Sequence, residues 1–266
     1  MLALTLIRDA RSGHPGGVLS VMDLLVCLWD IAKPIDLAPH KSQRETMQHD
    51  LILSKGHSIP ALYALASIPD SGAEGNESIP SLRKFGSVFQ GHPDTRFLRW
   101  LGTCSGSLGQ GLSFGCGLAM GSKIAVSSRK TYVVLGDGEL QEGQVWEAFL
   151  FAAHHALDNL FVVVDRNMLQ SDSSTEDVLS LNPLRAKFAS FGWNVHVVDG
   201  HSTSEIQEAL SLGAVELGKP TVVIAHTVKG KGVSFMENQP AWHGSVALTD
   251  SDYYRAVQEL KELEIH

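Results

Sequence analysis

Cysteine is scarce in this chain, and positive charge is outnumbered. The three cysteines among 266 residues, Cys27, Cys104 and Cys116, are odd in number and sit in apolar or glycine-rich settings. That excludes a disulfide framework and describes small buried hydrophobes in a reducing cytoplasm. No Cys/His spacing of the metal-site kind occurs. Lys and Arg total 21 against 29 Asp and Glu, a formal net charge of −8. Nucleic acid is thereby disfavoured as a partner, since counterion release needs a basic face. Anionic metabolites stay open, because local groups hold them. No apolar run approaches the ~20 residues of a membrane span. The opening MLALTLIRDARSG meets acid and base at once, without a cleavable signal pattern. Repeats and low-complexity segments are missing, and so is a GxGxxG loop after a strand, which argues against a nicotinamide dinucleotide.

What is present describes a globular α/β protein. Hydrophobic residues make up 44% of the chain and mean hydropathy is near zero. The pattern predicts helices over 2–10, 20–31, 60–68, 108–126, 144–157, 204–217 and 252–263. Strands are expected over 50–53, 132–135, 160–164, 194–198 and 221–225. Residues 81–85 read as a short helix. One doubly wound domain spanning 1–266, a mainly parallel sheet flanked by helices, is the economical arrangement.

The stretch 131–172 organises the rest. An apolar run ends in Gly136-Asp137-Gly138, a helical segment follows, and a second apolar run ends in Asp165-Arg166-Asn167. Strand, turn, helix, strand places polar groups at the carboxyl ends of two parallel strands, where open α/β sheets bind ligands. GDG alone is ordinary turn chemistry. Asp137 and Asn167, thirty positions apart, would together suit one hard cation bridging to a diphosphate.

Other polar residues fall in telling places. His14 sits in SGHPGG, where a plain turn residue is the commoner reading. His57 follows a short strand and precedes a helix, an anion-friendly position. TCSGSLGQG (103–111) is a second glycine-rich loop and opens a long helix with small residues. Glu142 and Glu147 flank a helix start, where carboxylates meet the helix dipole favourably. The basic, glycine-bearing loop 229–243 is long enough to suggest function.

GDGELQEG, the spacing to Asn167 and the trailing Gln170-Ser171-Asp172 resemble the thiamine-diphosphate signature of the transketolases. The resemblance extends from SGHPGG to Trp242-His243-Gly244. It implies the thiamine-diphosphate-binding fold, with thiamine diphosphate and Mg²⁺ (or Ca²⁺ or Mn²⁺ in its place) as cofactors. Asp137, Asn167 and the carbonyl of Leu169 would ligate the metal. Gly138 would give an amide to the diphosphate, and Ser171 belongs to the same cofactor set. Gly106 and Leu108 would touch the cofactor rings, although Ser107 stands where the family has proline. His14, His57, His92 and His243 would line the diphosphate and sugar channel as catalytic residues, His57 and His243 also binding cofactor. Glu142, as a catalytic group, and Glu147 would join the network between paired cofactor sites.

The resemblance also implies what lies elsewhere. The family's pyrimidine-binding domain, with its activating glutamate and sugar-phosphate arginines, falls beyond the matched region. The expectation is therefore the N-terminal subunit of a split transketolase. It would transfer a two-carbon ketol unit between sugar phosphates with a separate C-terminal subunit, in a complex of two copies of each chain. Alternatives are a subunit of another thiamine-diphosphate enzyme, such as a deoxyxylulose-phosphate-synthase relative or one passing the ketol unit to an unusual acceptor, or a non-catalytic paralogue.

Overall fold

The computed structural model describes residues 1–32, 48–68, 81–98, 100–170, 173–242 and 244–263. Its centre is a five-stranded parallel sheet in the order β1-β2-β3-β5-β4. The strands are β1 (Asp50–Leu53), β2 (Thr131–Gly136), β3 (Leu160–Arg166), β4 (Asn194–Asp199) and β5 (Thr221–His226).

Both faces are covered, and the strand sequences show why. In β2 and β3, Tyr132, Val134, Phe161 and Val163 point into one apolar cluster, and Val133, Leu135, Val162 and Val164 into the other. Period-2 alternation with both classes apolar is the mark of a strand buried on two sides. The first cluster is completed by α1 (Leu2–Ala10), α2 (Pro15–Ala32), α3 (Ile59–Ala66) and, after β4, α8 (Thr203–Val215). The second takes α4 (Gln110–Ile124), α5 (Gly143–His154) and α7 (Leu184–Ser190). Phe149 anchors that side, its ring 4.6 Å from both Phe188 and Trp193. The remaining helices are the five-residue α6 (Thr175–Leu179) and the terminal α9 (Asp250–Leu263).

Three expectations need correction. α2 starts at Pro15, so the glycine pair lies inside the helix and not before it. Proline at the first helical position has its φ preset and lacks only an N–H that would be unpaired anyway. Gly16 is needed for close approach, since a Cβ there would come within 2.7 Å of the Trp242 carbonyl oxygen. α2 is also, among the described residues, a helix long and apolar enough to cross a membrane at 18 residues, but 67% of it is buried in the core. Residues 81–85 form turns instead of a helix, because Arg83 adopts φ 55, the left-handed region.

Candidate functional site

β2 and β3 end side by side, with Gly136 opposite Asp165, and this register sets Asp137 against Arg166 and Asn167. Asp137 is buried. Its Oδ1 accepts from Gly138 N at 2.8 Å, and its Oδ2 from Met168 N at 2.6 Å and from Arg166 Nη1 at 3.1 Å. Burial, then the neighbouring Asp165, push its carboxyl above the usual range, and Arg166 opposes them. Arg166 is held further by Thr175 Oγ1 at 2.8 Å and by Glu176 Oε1 at 2.5 Å. The three residues expected to hold a metal, Asp137, Asn167 and Leu169, line one cavity here. Asn167 Oδ1 accepts from Leu169 N at 3.2 Å, and the Leu169 carbonyl accepts from Lys229 Nζ at 2.9 Å.

Beneath them lies Asp165, fully buried at the end of β3. Its carboxylate pairs with the Lys55 ammonium and accepts from the hydroxyls of Thr227 and of Ser20, the latter at 2.7 Å. Asn167 Nδ2 reaches the same Oδ2 at 3.4 Å. Burial alone would raise the Asp165 pKa, but Lys55 and the two hydroxyls outweigh it and leave it below its ordinary value. Lys229 is equally deep. Burial first, then the Lys55 charge, bring its pKa down to about 7, against the pull of Asp165 and Asp137. Two buried ammoniums at the open end of a sheet suit a multiply charged anion.

The glycine-rich loop is fastened by Glu139. This buried carboxylate accepts from Ser54 Oγ, from Gly109 N at 2.7 Å and from Gly136 N at 3.1 Å. It thus joins the ends of β1 and β2 to the start of α4. Gly109 has φ 84, in the left-handed region that favours glycine.

A cavity of about 280 Å³ opens above this floor, lined by Lys55, His57, Leu108, Asp137, Gly138, Glu142, Asn167, Leu169 and Lys229 among others. The structure therefore gathers His57, Leu108, Asp137, Gly138, Glu142, Asn167 and Leu169 around one space. His14 adjoins it, its ring 5.1 Å from that of His57. A Cβ on Gly106 would sit 3.5 Å from the His92 ring, so the two residues are neighbours. Glu147 is on the exposed side of α5 and is not part of the lining. Ser171 and His243 lie outside the described residues. Sequence reasoning missed Lys55, Glu139, Asp165, Arg166 and Lys229. Signals existed, since Lys55 stands two residues before His57 and Asp165 two before Asn167.

The donor set fits a hard divalent ion with a diphosphate. One carboxylate, one amide oxygen and one carbonyl leave room for phosphate oxygens, which is how magnesium is usually held. Lys229 Nζ donates to the same Leu169 carbonyl. Nearby, Gln170 Oε1 is buried with no hydrogen-bond partner, 3.8 Å from where a Cβ on Gly138 would sit.

Comparison with known proteins gives the family of this domain. A family model described as "Transketolase, thiamine diphosphate binding domain" matches residues 1–261. The chain is 38% identical over 258 residues to one of the subunits of the apulose-4-phosphate transketolase of Phocaeicola vulgatus, covering 97% of this chain and 89% of that protein. It is also 38% identical over 261 residues to the 6-deoxy-6-sulfo-D-fructose transketolase subunit SqwG of a Clostridium species, covering 98% and 93%. The solved transketolase of Campylobacter jejuni superposes with a TM-score of 0.86 at 28% identity over 98% of this chain. The chain spans 41% of that protein's length.

Proposed function

The chain belongs to the transketolase family, by its thiamine diphosphate binding domain, and we propose that it is the diphosphate-binding subunit of a two-subunit, cytoplasmic transketolase. In this reading the complex moves a two-carbon ketol unit from a ketose phosphate to an aldose acceptor. The observation that carries it is the convergence of Asp137, Asn167 and the Leu169 carbonyl with the Lys55 and Lys229 ammoniums at adjacent parallel strand ends. That the two relatives aligned over most of their length are named as subunits supports a separate partner chain.

Asp137, Asn167 and Leu169 would hold Mg²⁺, while Lys229, Gly138 and His57 would receive the diphosphate. Bound thiamine diphosphate supplies the carbon nucleophile and electron sink that ketol transfer requires. This chain's own residues prepare the ground for it. Asp165 anchors Lys55 and the Asn167 amide, and Glu139 holds the loop that carries Leu108. Leu108 excludes water from one wall. His14, His57 and His92 stand at the sugar end, where neutral imidazoles can take and return hydroxyl protons.

Exposed apolar side chains on α4 and α5, Phe114, Leu150 and Phe151, support self-association of this subunit into a dimer of heterodimers. Gly117 and Gly121 leave open space on α4 for a close neighbour.

Calorimetric titration of thiamine diphosphate with Mg²⁺ into the complex tests the site. Wild type should bind and Asp137→Ala should not. The fold should persist, because Arg166 keeps Thr175 and Glu176 as partners. Unchanged affinity in the variant would remove the metal assignment.

A further inference from the structure

Arg83 occupies a position that the catalytic reading does not explain. Its Nη1 donates to Ser12 Oγ, which in turn lies 2.9 Å from Ser245 Oγ. Val246 N donates to the Gly13 carbonyl at 2.7 Å, closing the same junction. On its other side the guanidinium lies along Gly91, where a Cβ would come within 2.8 Å of Arg83 Cζ. The Arg83 amide donates to the Phe89 carbonyl at 2.9 Å. The side chain therefore bridges the turn that ends in His14 and the turn that leads to His92. Its backbone sits at φ 55, a conformation that non-glycine residues keep only where their surroundings demand it.

The charge matters as much as the bridge. Among the described residues no carboxylate pairs with Arg83. His14 is half-buried, with Nδ1 enclosed and without a hydrogen-bond partner. The charged groups that act on it are Arg83, His92, Lys229 and Lys55, all cationic when charged, and the His57 ring packs beside it. Burial first, then Arg83, hold its pKa down at about 4. His92 is lowered in the same order, by burial and then by Arg83. An arginine keeps its charge at every working pH, so this influence is constant where a histidine or lysine neighbour would vary.

We propose that Arg83 is a positioning residue that ties together the turns carrying His14 and His92 and acts on both imidazoles as a fixed cation at the sugar end of the site. The role in turnover rests on the transketolase reading above; the effect on the histidines does not.

The test is an NMR titration of the His14 and His92 rings in the full chain with its complementary subunit, comparing wild type, Arg83→Gln and Arg83→Lys. Glutamine keeps a donor for Ser12 but removes the charge, and it should raise both midpoints by about one unit, the scale of a close like-charge effect. Lysine keeps the charge and should leave them near wild type. The acid limb of kcat/KM should move to higher pH in the glutamine variant but not in the lysine variant, with thiamine diphosphate affinity unchanged. Arg83→Met, whose stem still covers Gly91, is a second neutral variant with the same expectation. Unmoved midpoints in both neutral variants, or a lysine variant that shifts as far as they do, would overturn the assignment. A wild-type complex that binds no thiamine diphosphate would count against the transketolase reading instead, leaving the titration to decide Arg83.

Discussion

The Lys229 side-chain nitrogen stands 2.9 Å from the carbonyl oxygen of Leu169 and donates to it. A bound divalent ion would take that carbonyl and leave Lys229 to turn toward the diphosphate. Lys229→Met should therefore weaken thiamine diphosphate binding. Hydrogen bonds to charged groups contribute about 1.5–3 kcal/mol, which corresponds to roughly 10- to 100-fold in affinity. Calorimetry on the complex checks this, and an unaltered dissociation constant would place Lys229 outside the diphosphate site.

Asp165 and Lys55 form a buried pair in which each compensates the other. Asp165→Asn removes one charge and leaves an ammonium stranded in the core, a change that costs about 3–5 kcal/mol. The double variant Lys55→Met/Asp165→Asn should recover part of that loss. Chemical denaturation of the four proteins in this cycle measures it. A double variant no more stable than Asp165→Asn alone would mean that the pair does not act as a unit.

Acid should weaken the fold through His14. Its folded pKa of about 4 lies below the ~6.5 of an unfolded histidine. Between these values the unfolded chain binds more protons, so stability rises with pH across that window. The contribution is complete above about 6.5 and is lost as pH falls toward about 4. His49 and His92, also lowered by burial first, act in the same direction. His14→Asn should flatten the stability profile between pH 4 and 6.5, as followed by urea unfolding. A slope identical to wild type would show that the imidazole is not held neutral.

The glycine-rich loop gives a fourth expectation. Glu139 accepts from Gly109 N, Gly136 N and Ser54 Oγ, and an alanine there would leave both amides buried without partners. Glu139→Ala should raise the KM for cofactor and lower stability by about 1–3 kcal/mol, the cost of an unsatisfied buried group. Glu139→Gln, which keeps an acceptor oxygen, should fall between the alanine variant and wild type. Equal behaviour of the two variants in cofactor titrations would contradict the clamp.

Much of this site was legible because the chain advertises it locally. Asp137 and Asn167 follow two apolar runs, and short runs apolar on both faces suit parallel strands of a covered sheet, whose carboxyl ends lie along one edge. The long helices showed their 3.6-residue pattern, but α6 and α7, with five and seven residues, are too short to display one. The glycines after His14 look like a turn in sequence, while in space Gly16 makes room for the Trp242 carbonyl. Lys55, Asp165 and Lys229 were missed for a different reason. Each is one polar residue beside an apolar or glycine-rich stretch, and only the sheet order brings positions 55, 165 and 229 together.

In the proposed reading, the floor built by Asp137, Asn167, Lys55 and Lys229 serves an active site completed by a second subunit. The most direct measurement adds a candidate complementary subunit stepwise to a fixed amount of this chain, with thiamine diphosphate and Mg²⁺, following aldose release and complex mass together. Ketol transfer should be absent from the chain alone, rise with added partner and saturate at one partner per chain, in a particle holding two of each. Full ketol transfer by this chain without a partner would overturn the two-subunit reading.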